Sequence, residues 1–189
     1  ILCWKVISHL RFRKEVLKDS YPVTHPDILE LWKREQELIE RKKPIPLVYS
    51  PHVATPLTVG KWNRTIHTLL PERSYTMTEL RMVFRHELRH VQRLDVDSKV
   101  FYGFCEAFCW FNPLVWLAMR KASADLELSC DEMVVYGMEE RDRRRYAELL
   151  LNTAGDDRGF STCLSASAKS LRYRLKNIME QRKRLTGTV

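Results

Sequence analysis

At 189 residues the chain is the size of one domain, and 44% hydrophobic residues suffice for a core. A net charge of +8 and a pI near 9.4 point to an anionic partner, either nucleic acid or an anionic membrane surface. No internal repeat or low-complexity tract is present. The five cysteines (Cys3, Cys105, Cys109, Cys130 and Cys163) are odd in number and not spaced as a zinc finger, and suit a reducing cytoplasm.

The apolar run Ile1 to Ile7 is followed by Arg11, Arg13, Lys14 and Lys18. Residues 1–20 therefore read as the end of a membrane helix with a basic juxtamembrane segment. The chain begins at Ile1 rather than Met, so a piece of a longer protein is expected. Lys176, Arg182, Lys183 and Arg184 mirror the basic start. Basic residues at both ends fit a cytoplasmic segment between two spans. They favour a membrane over direct nucleic-acid binding, although solvated helix ends would show the same charges.

Pro26 to Lys43 gives an amphipathic helix through Ile28, Leu31, Leu38 and Ile39, ended by Pro44. Two short strands follow, at 46–50 and 65–70, bounded by Pro and Gly. Thr76 and Glu79 then form a capping box, and Leu80, Val83, Phe84, Leu88 and Val91 recur at helical spacing. The expected helix runs from Met77 to about Leu94.

That helix carries His86-Glu87-Leu88-Arg89-His90, the His-Glu-x-x-His pattern. Histidines four apart on a helix share a face, so both imidazoles can reach one Zn²⁺. Glu87 is then set to act as general base on a water activated by the metal. Taken alone, the pattern also fits ordinary surface histidines. In zinc proteases a sheet edge beside this helix commonly holds the substrate as an added strand. The segment carrying Thr55, Pro56 and Gly60 is the candidate edge by analogy. His52 and His67 in the same region read as surface or structural histidines rather than oxyanion donors.

Residues 100–119 are the most apolar run. Glu106 and the Asn112-Pro113 break argue against a single crossing. A crossing would also put Glu127 on the opposite side of a bilayer from His90. A hairpin remains, either buried in the core or associated with the membrane through its aromatics. Cys105 and Cys109, four apart, read as buried small hydrophobes. Asn112 caps the next helix and Pro113 opens it, with Leu114, Leu117, Ala118, Leu128 and Val135 as its apolar positions. Glu127 and Asp131 stack on one face of it. Glu127 can be the third zinc ligand, and Asp131 can accept the outer N–H of a liganding histidine. A helix opening at Arg141 runs to Thr153, with an Arg cluster at its start and Leu149, Leu150 and Leu151 as its apolar face. A loop over 152–167 is a candidate cleavage region. A last basic helix spans 168–183, with Leu171, Leu175 and Ile178 inward.

The ordered motifs His86-Glu87-Leu88-Arg89-His90, Phe111-Asn112-Pro113-Leu114-Val115-Trp116 and Glu127-Leu128-Ser129-Cys130-Asp131-Glu132 resemble the BlaR/MecR-type regulatory metallopeptidases of bacteria. Ser50-Pro51, Thr55-Pro56, Gly60, Gly159-Phe160-Ser161-Thr162 and the stretch from Leu171 to Ile178 extend the likeness over about Ile45 to Lys183. The resemblance implies an α+β, mainly helical gluzincin-type zinc-protease domain over 21–189, with a small sheet before the His-Glu-x-x-His helix. It implies one Zn²⁺ on His86, His90 and Glu127, with Glu87 as general base. It also implies a multi-pass bacterial membrane parent, with this domain on the cytoplasmic side, that cleaves itself and a transcriptional repressor in antibiotic-resistance signalling. A homodimer is a further expectation. No penicillin-binding sensor segment is present, so β-lactam sensing does not carry over. A housekeeping gluzincin protease and a non-proteolytic zinc scaffold remain the alternatives. No oxyanion-stabilising residue stands out.

Overall fold

The structure, a computed structural model, describes residues 2–41, 43–60, 65–154 and 168–180. Its elements in chain order are α1 (Leu2–Leu17), β1 (Tyr21–Pro22), α2 (Pro26–Leu38), β2 (Leu47–Tyr49), β3 (Leu57–Val59) and β4 (His67–Leu70). They continue with α3 (Met77–Gln92), α4 (Asp95–Phe108), α5 (Pro113–Val135), α6 (Glu140–Ala154) and α7 (Ala168–Met179). The domain is thus α+β and mainly helical, with its small sheet ahead of α3. Residues 152–154 of the loop expected at 152–167 are instead the last of α6, and the rest of that candidate cleavage region lies outside the described residues.

The sheet is mixed, in the order β1-β2-β4-β3. β2 and β4 pair in parallel, while β1 and β3 run antiparallel to their neighbours. Side chains alternate between the faces of a strand. Leu70 accordingly joins the main core with Leu31, Trp32, Phe84, Leu88 and Tyr146. Leu69, beside it, joins a second cluster with Val16, Val53, Leu57 and Val59. The sheet therefore lies between the helical body and α1. β3 is followed directly by Gly60, whose φ is +108°. A Cβ there would sit 2.1 Å from the Thr65 carbonyl oxygen, so the exit of this edge strand admits only glycine.

α2 braces α3. Trp32 packs edge-on against Phe84 with ring centroids 4.8 Å apart, and its Nε1 donates to the Ile45 carbonyl. Glu35 on α2 is buried and accepts from Arg85 Nε at 3.0 Å. α3 begins at Thr76, where both halves of the capping box form: Thr76 Oγ1 accepts from the Glu79 amide, and the Glu79 carboxylate accepts from the Thr76 amide.

α5 departs from the expected pattern. Its 23 residues span about 34 Å at 1.5 Å per residue. Leu114 and Leu117 in its first half are exposed, while Leu126, Glu127, Cys130, Asp131 and Val134 in its second half are buried. The α4–α5 hairpin is therefore not an ordinary buried one. Phe101, Phe104, Phe108, Trp110, Phe111 and Leu114 all face outward, Phe108 with 73% of its surface free. Cys105 and Cys109 are half-buried rather than buried. Leu151 is exposed while Leu149 and Leu150 are buried, because three successive helical residues cannot share a face. No described helix is long and apolar enough to cross a membrane.

A candidate metal centre

His86, Glu87 and His90 are buried on the inner face of α3. His86 Nε2 and His90 Nε2 lie 3.0 Å apart. α5 crosses beside them and brings Glu127 Oε2 to 3.7 Å from His86 Nε2 and 3.5 Å from His90 Nε2. Tetrahedral zinc with arms of about 2.0–2.1 Å has ligand–ligand edges of about 3.3 Å. The three observed separations bracket that edge. Glu127 Oε2 is buried and accepts no hydrogen bond from any described residue. An orphaned carboxylate oxygen facing two imidazole nitrogens is a donor set that fits zinc.

Each donor is held from outside. His90 Nδ1 donates to Asp95 Oδ2 at 2.7 Å, and Cys130 Sγ lies 3.4 Å from the same nitrogen. Asp95 reaches back because Leu94 adopts a left-handed conformation, φ 57°, that reverses the chain between α3 and α4. Lys99 Nζ donates to Glu127 Oε1 at 3.2 Å, leaving Oε2 turned to the histidines. His86 Nδ1 lies 2.9 Å from the Tyr146 hydroxyl, which donates to Asp131 Oδ1 at 2.8 Å. Arg174 on α7 grips Asp131 through Nε to Oδ2 at 2.5 Å and Nη2 to Oδ1 at 2.8 Å. The remaining Arg174 nitrogen, Nη1, stands 3.8 Å from Glu127 Oε2.

The electrostatics favour positive charge at the cluster. Burial opposes ionisation of Glu127, but His86, His90 and Lys99 outweigh it and hold the carboxyl well below the usual range. Burial likewise opposes a charged His90, but Asp95, Cys130 and Glu127 raise its pKa well above the ordinary value. Burial pulls Arg174 down, yet Asp131 more than compensates and its pKa is raised. The carboxylates around the imidazoles thus favour positive charge between them, a demand that a divalent cation would meet.

The sequence-derived residues converge in part. His86, His90 and Glu127 form one group within ligand reach, with Asp131 behind His86. Glu87 and His86 line a small, half-open cavity of about 30 Å³ with Pro56, Val83, Tyr146 and Leu149. Pro56 immediately precedes β3, the end strand of the sheet. Thr55 is buried beside it, and its Oγ1 has no hydrogen-bond partner among the described residues. His52 instead faces Asp19, and His67 the Thr65 carbonyl. Cys105 and Cys109 belong to no metal-ligating group among the described residues.

Sequence reasoning missed Asp95, Lys99, Tyr146 and Arg174. Two of them left a signal. Tyr146 shares the inward stripe of Leu149, Leu150 and Thr153, and Arg174 that of Leu171, Leu175 and Ile178.

Residues 1–178 match the family model described as BlaR1 peptidase M56. The regulatory protein BlaR1 of Bacillus licheniformis is 29% identical over 169 residues, covering 88% of this chain and 28% of that protein. The methicillin resistance mecR1 protein of Staphylococcus aureus is 28% identical over 112 residues, 58% of this chain and 19% of that protein. BlaR1 of Staphylococcus aureus is 24% identical over 163 residues, covering 81% and 26% respectively. The chain thus spans about a quarter of the length of the curated relatives it matches. With nearly all of its length inside the family model, the chain belongs to the BlaR1 peptidase M56 family.

Proposed function

We propose that the chain is the zinc endopeptidase domain of a bacterial membrane-bound signal transducer that cuts itself and a repressor protein. The convergence of His86 Nε2, His90 Nε2 and the orphaned Glu127 Oε2 carries this reading. These three residues would hold one Zn²⁺. Bound there, zinc supplies Lewis acidity and brings the pKa of a water to about 7. Glu87, beside His86 on the cavity wall, takes the proton of the attacking water and delivers it to the departing amine. β3 offers its outer edge to an extended substrate, and Thr55 and Pro56 lead that strand to the cavity. Gly60 serves the strand through its backbone conformation.

Glu87→Gln tests the assignment. The variant is expected to keep its zinc and lose at least a hundredfold in cleavage of denatured casein and of its own chain, the scale of a lost general base. Wild-type rates in a zinc-loaded Glu87→Gln protein would end the general-base assignment, and a zinc-loaded wild type that cleaves neither substrate would leave a zinc scaffold.

The same proposal places the domain on the cytoplasmic face of the membrane, with residues 1–20 leading from a membrane helix. The exposed aromatics of the α4–α5 hairpin, with Arg120 and Lys121 further along α5, have the composition of an interfacial anchor. The wild-type chain is expected to sediment with phosphatidylglycerol vesicles. A Phe108→Ser, Trp110→Ser, Phe111→Ser variant should stay in the supernatant. Equal sedimentation of both would remove the hairpin from the membrane contact.

A further inference from the structure

The shape of the ligand set depends on which nitrogen of each imidazole carries the proton. For His90 the buried Asp95 carboxylate settles this at Nδ1, since an ionised carboxylate only accepts. For His86 the outer neighbours are two, and they compete. Asp131 Oδ1 lies 3.4 Å from His86 Nδ1, long for a well-formed hydrogen bond, whereas the Tyr146 oxygen lies at 2.9 Å. Asp131 Oδ1 already receives the Tyr146 hydroxyl at 2.8 Å and an Arg174 N–H at 2.8 Å. Tyr146 has one proton, and that proton points to Asp131. What its oxygen turns to His86 is a lone pair, so the hydrogen between them must sit on Nδ1. Nε2 is then bare and faces His90 and Glu127.

We propose that Tyr146 is the positioning residue of this site: its hydroxyl, anchored by Asp131, holds the Nδ1 proton of His86 and so fixes the tautomer and ring orientation that aim Nε2 inward. The proposal rests on the zinc reading above. Its basis is the geometry of a tyrosine, a carboxylate and an arginine drawn from α6, α5 and α7, all essentially fully buried. Three successive helices thus meet behind one imidazole on α3. The arrangement is that of a carboxylate–histidine–metal relay with a phenol inserted. The insertion has a consequence: a phenylalanine at 146 would preserve the packing against His86 and Leu149 but leave the Nδ1 proton facing Asp131 across a longer gap.

The test compares zinc dissociation constants of the full chain by chelator competition, together with the imidazole N–H signals of the zinc-loaded protein. Tyr146→Phe is expected to weaken zinc binding by tenfold or more, the usual scale for an outer-shell partner. It should also remove or shift a downfield, slowly exchanging Nδ1–H resonance of His86. Leu31→Ala, a core truncation on α2, should lower the melting temperature while keeping the wild-type affinity and resonance. An unchanged affinity and resonance in folded Tyr146→Phe would overturn the proposal and leave the zinc reading standing. So would an equal loss of zinc in Leu31→Ala, because the effect would then be one of general stability. A wild-type chain that binds no zinc would bring down both.

Discussion

Arg174→Ala is expected to lower the thermal unfolding midpoint by roughly 10 °C. Arg174 and Asp131 are both only 1% exposed, and two parallel N–H···O bonds join them. Deleting one partner of such a buried pair costs about 3–5 kcal/mol, because the other charge stays behind uncompensated. For a domain of this size each kcal/mol is worth about 2–4 °C. Asp131 would keep only the Tyr146 hydroxyl as a close donor, since its other contact, His86 Nδ1, stands at 3.4 Å. Arg174→Lys should recover little, because a single ammonium cannot offer two parallel donors in a fixed plane. The joint substitution Arg174→Met with Asp131→Leu is expected to restore most of the melting temperature, since apolar residues of similar volume commonly replace a buried pair without loss. Zinc affinity should stay low in that double variant, as the tyrosine loses its anchor. Circular dichroism melts of the three proteins check this. A shift under 2 °C for Arg174→Ala would mean that α7 is held by Ile178 and its apolar neighbours alone.

The part of this fold legible in the sequence is the part set by local rules. In α3 the capping box, the apolar stripe and the two histidines lie within one short window, and each implies the same helix. Glu127 and Asp131 were legible because carboxylates four apart must share a face. The start of α5 was legible from Asn112, whose Oδ1 accepts from the Leu114 amide. Tyr146 and Arg174 failed for the opposite reason. A polar residue on a charged helix reads as solvated even where it shares the inward stripe, and its partners on other helices are what give that place a role. Asp95 depended on a left-handed residue that is not glycine, which no turn rule anticipates. The sheet order required pairing strands across Thr55 to Gly60, a non-local contact that strands of two to four residues do not announce. Along α5 the error ran through hydrophobicity itself. Leu114 and Leu117 face outward while Glu127 and Asp131 face inward, because the helix changes from an exposed arm to a wall of the site.

Zinc added to the metal-stripped chain is expected to raise its melting temperature, and Glu127→Ala should abolish most of that rise. At free zinc a thousandfold above the dissociation constant, binding to the native state alone adds about 4 kcal/mol. That corresponds to about 8–16 °C at this chain length. Zinc content per chain should be near one in the wild type, with three protein donors and a fourth position left open. Glu127→Ala keeps both imidazoles, yet removes the anionic donor and leaves Lys99 without its Oε1 partner beside the cation. Two neutral nitrogens next to an ammonium then face a divalent ion, and retention through desalting should fall well below half. Glu127→Gln separates the two contributions: it keeps an oxygen in place but discards the charge that burial opposes and the histidines sustain. If Glu127→Gln retains zinc as Glu127→Ala does not, coordination by the oxygen dominates. If both lose it, the negative charge dominates. Equal zinc in Glu127→Ala and wild type would place the third donor elsewhere. Asp95 and Cys130, grouped on the outer nitrogen of His90, would then be the residues to substitute next.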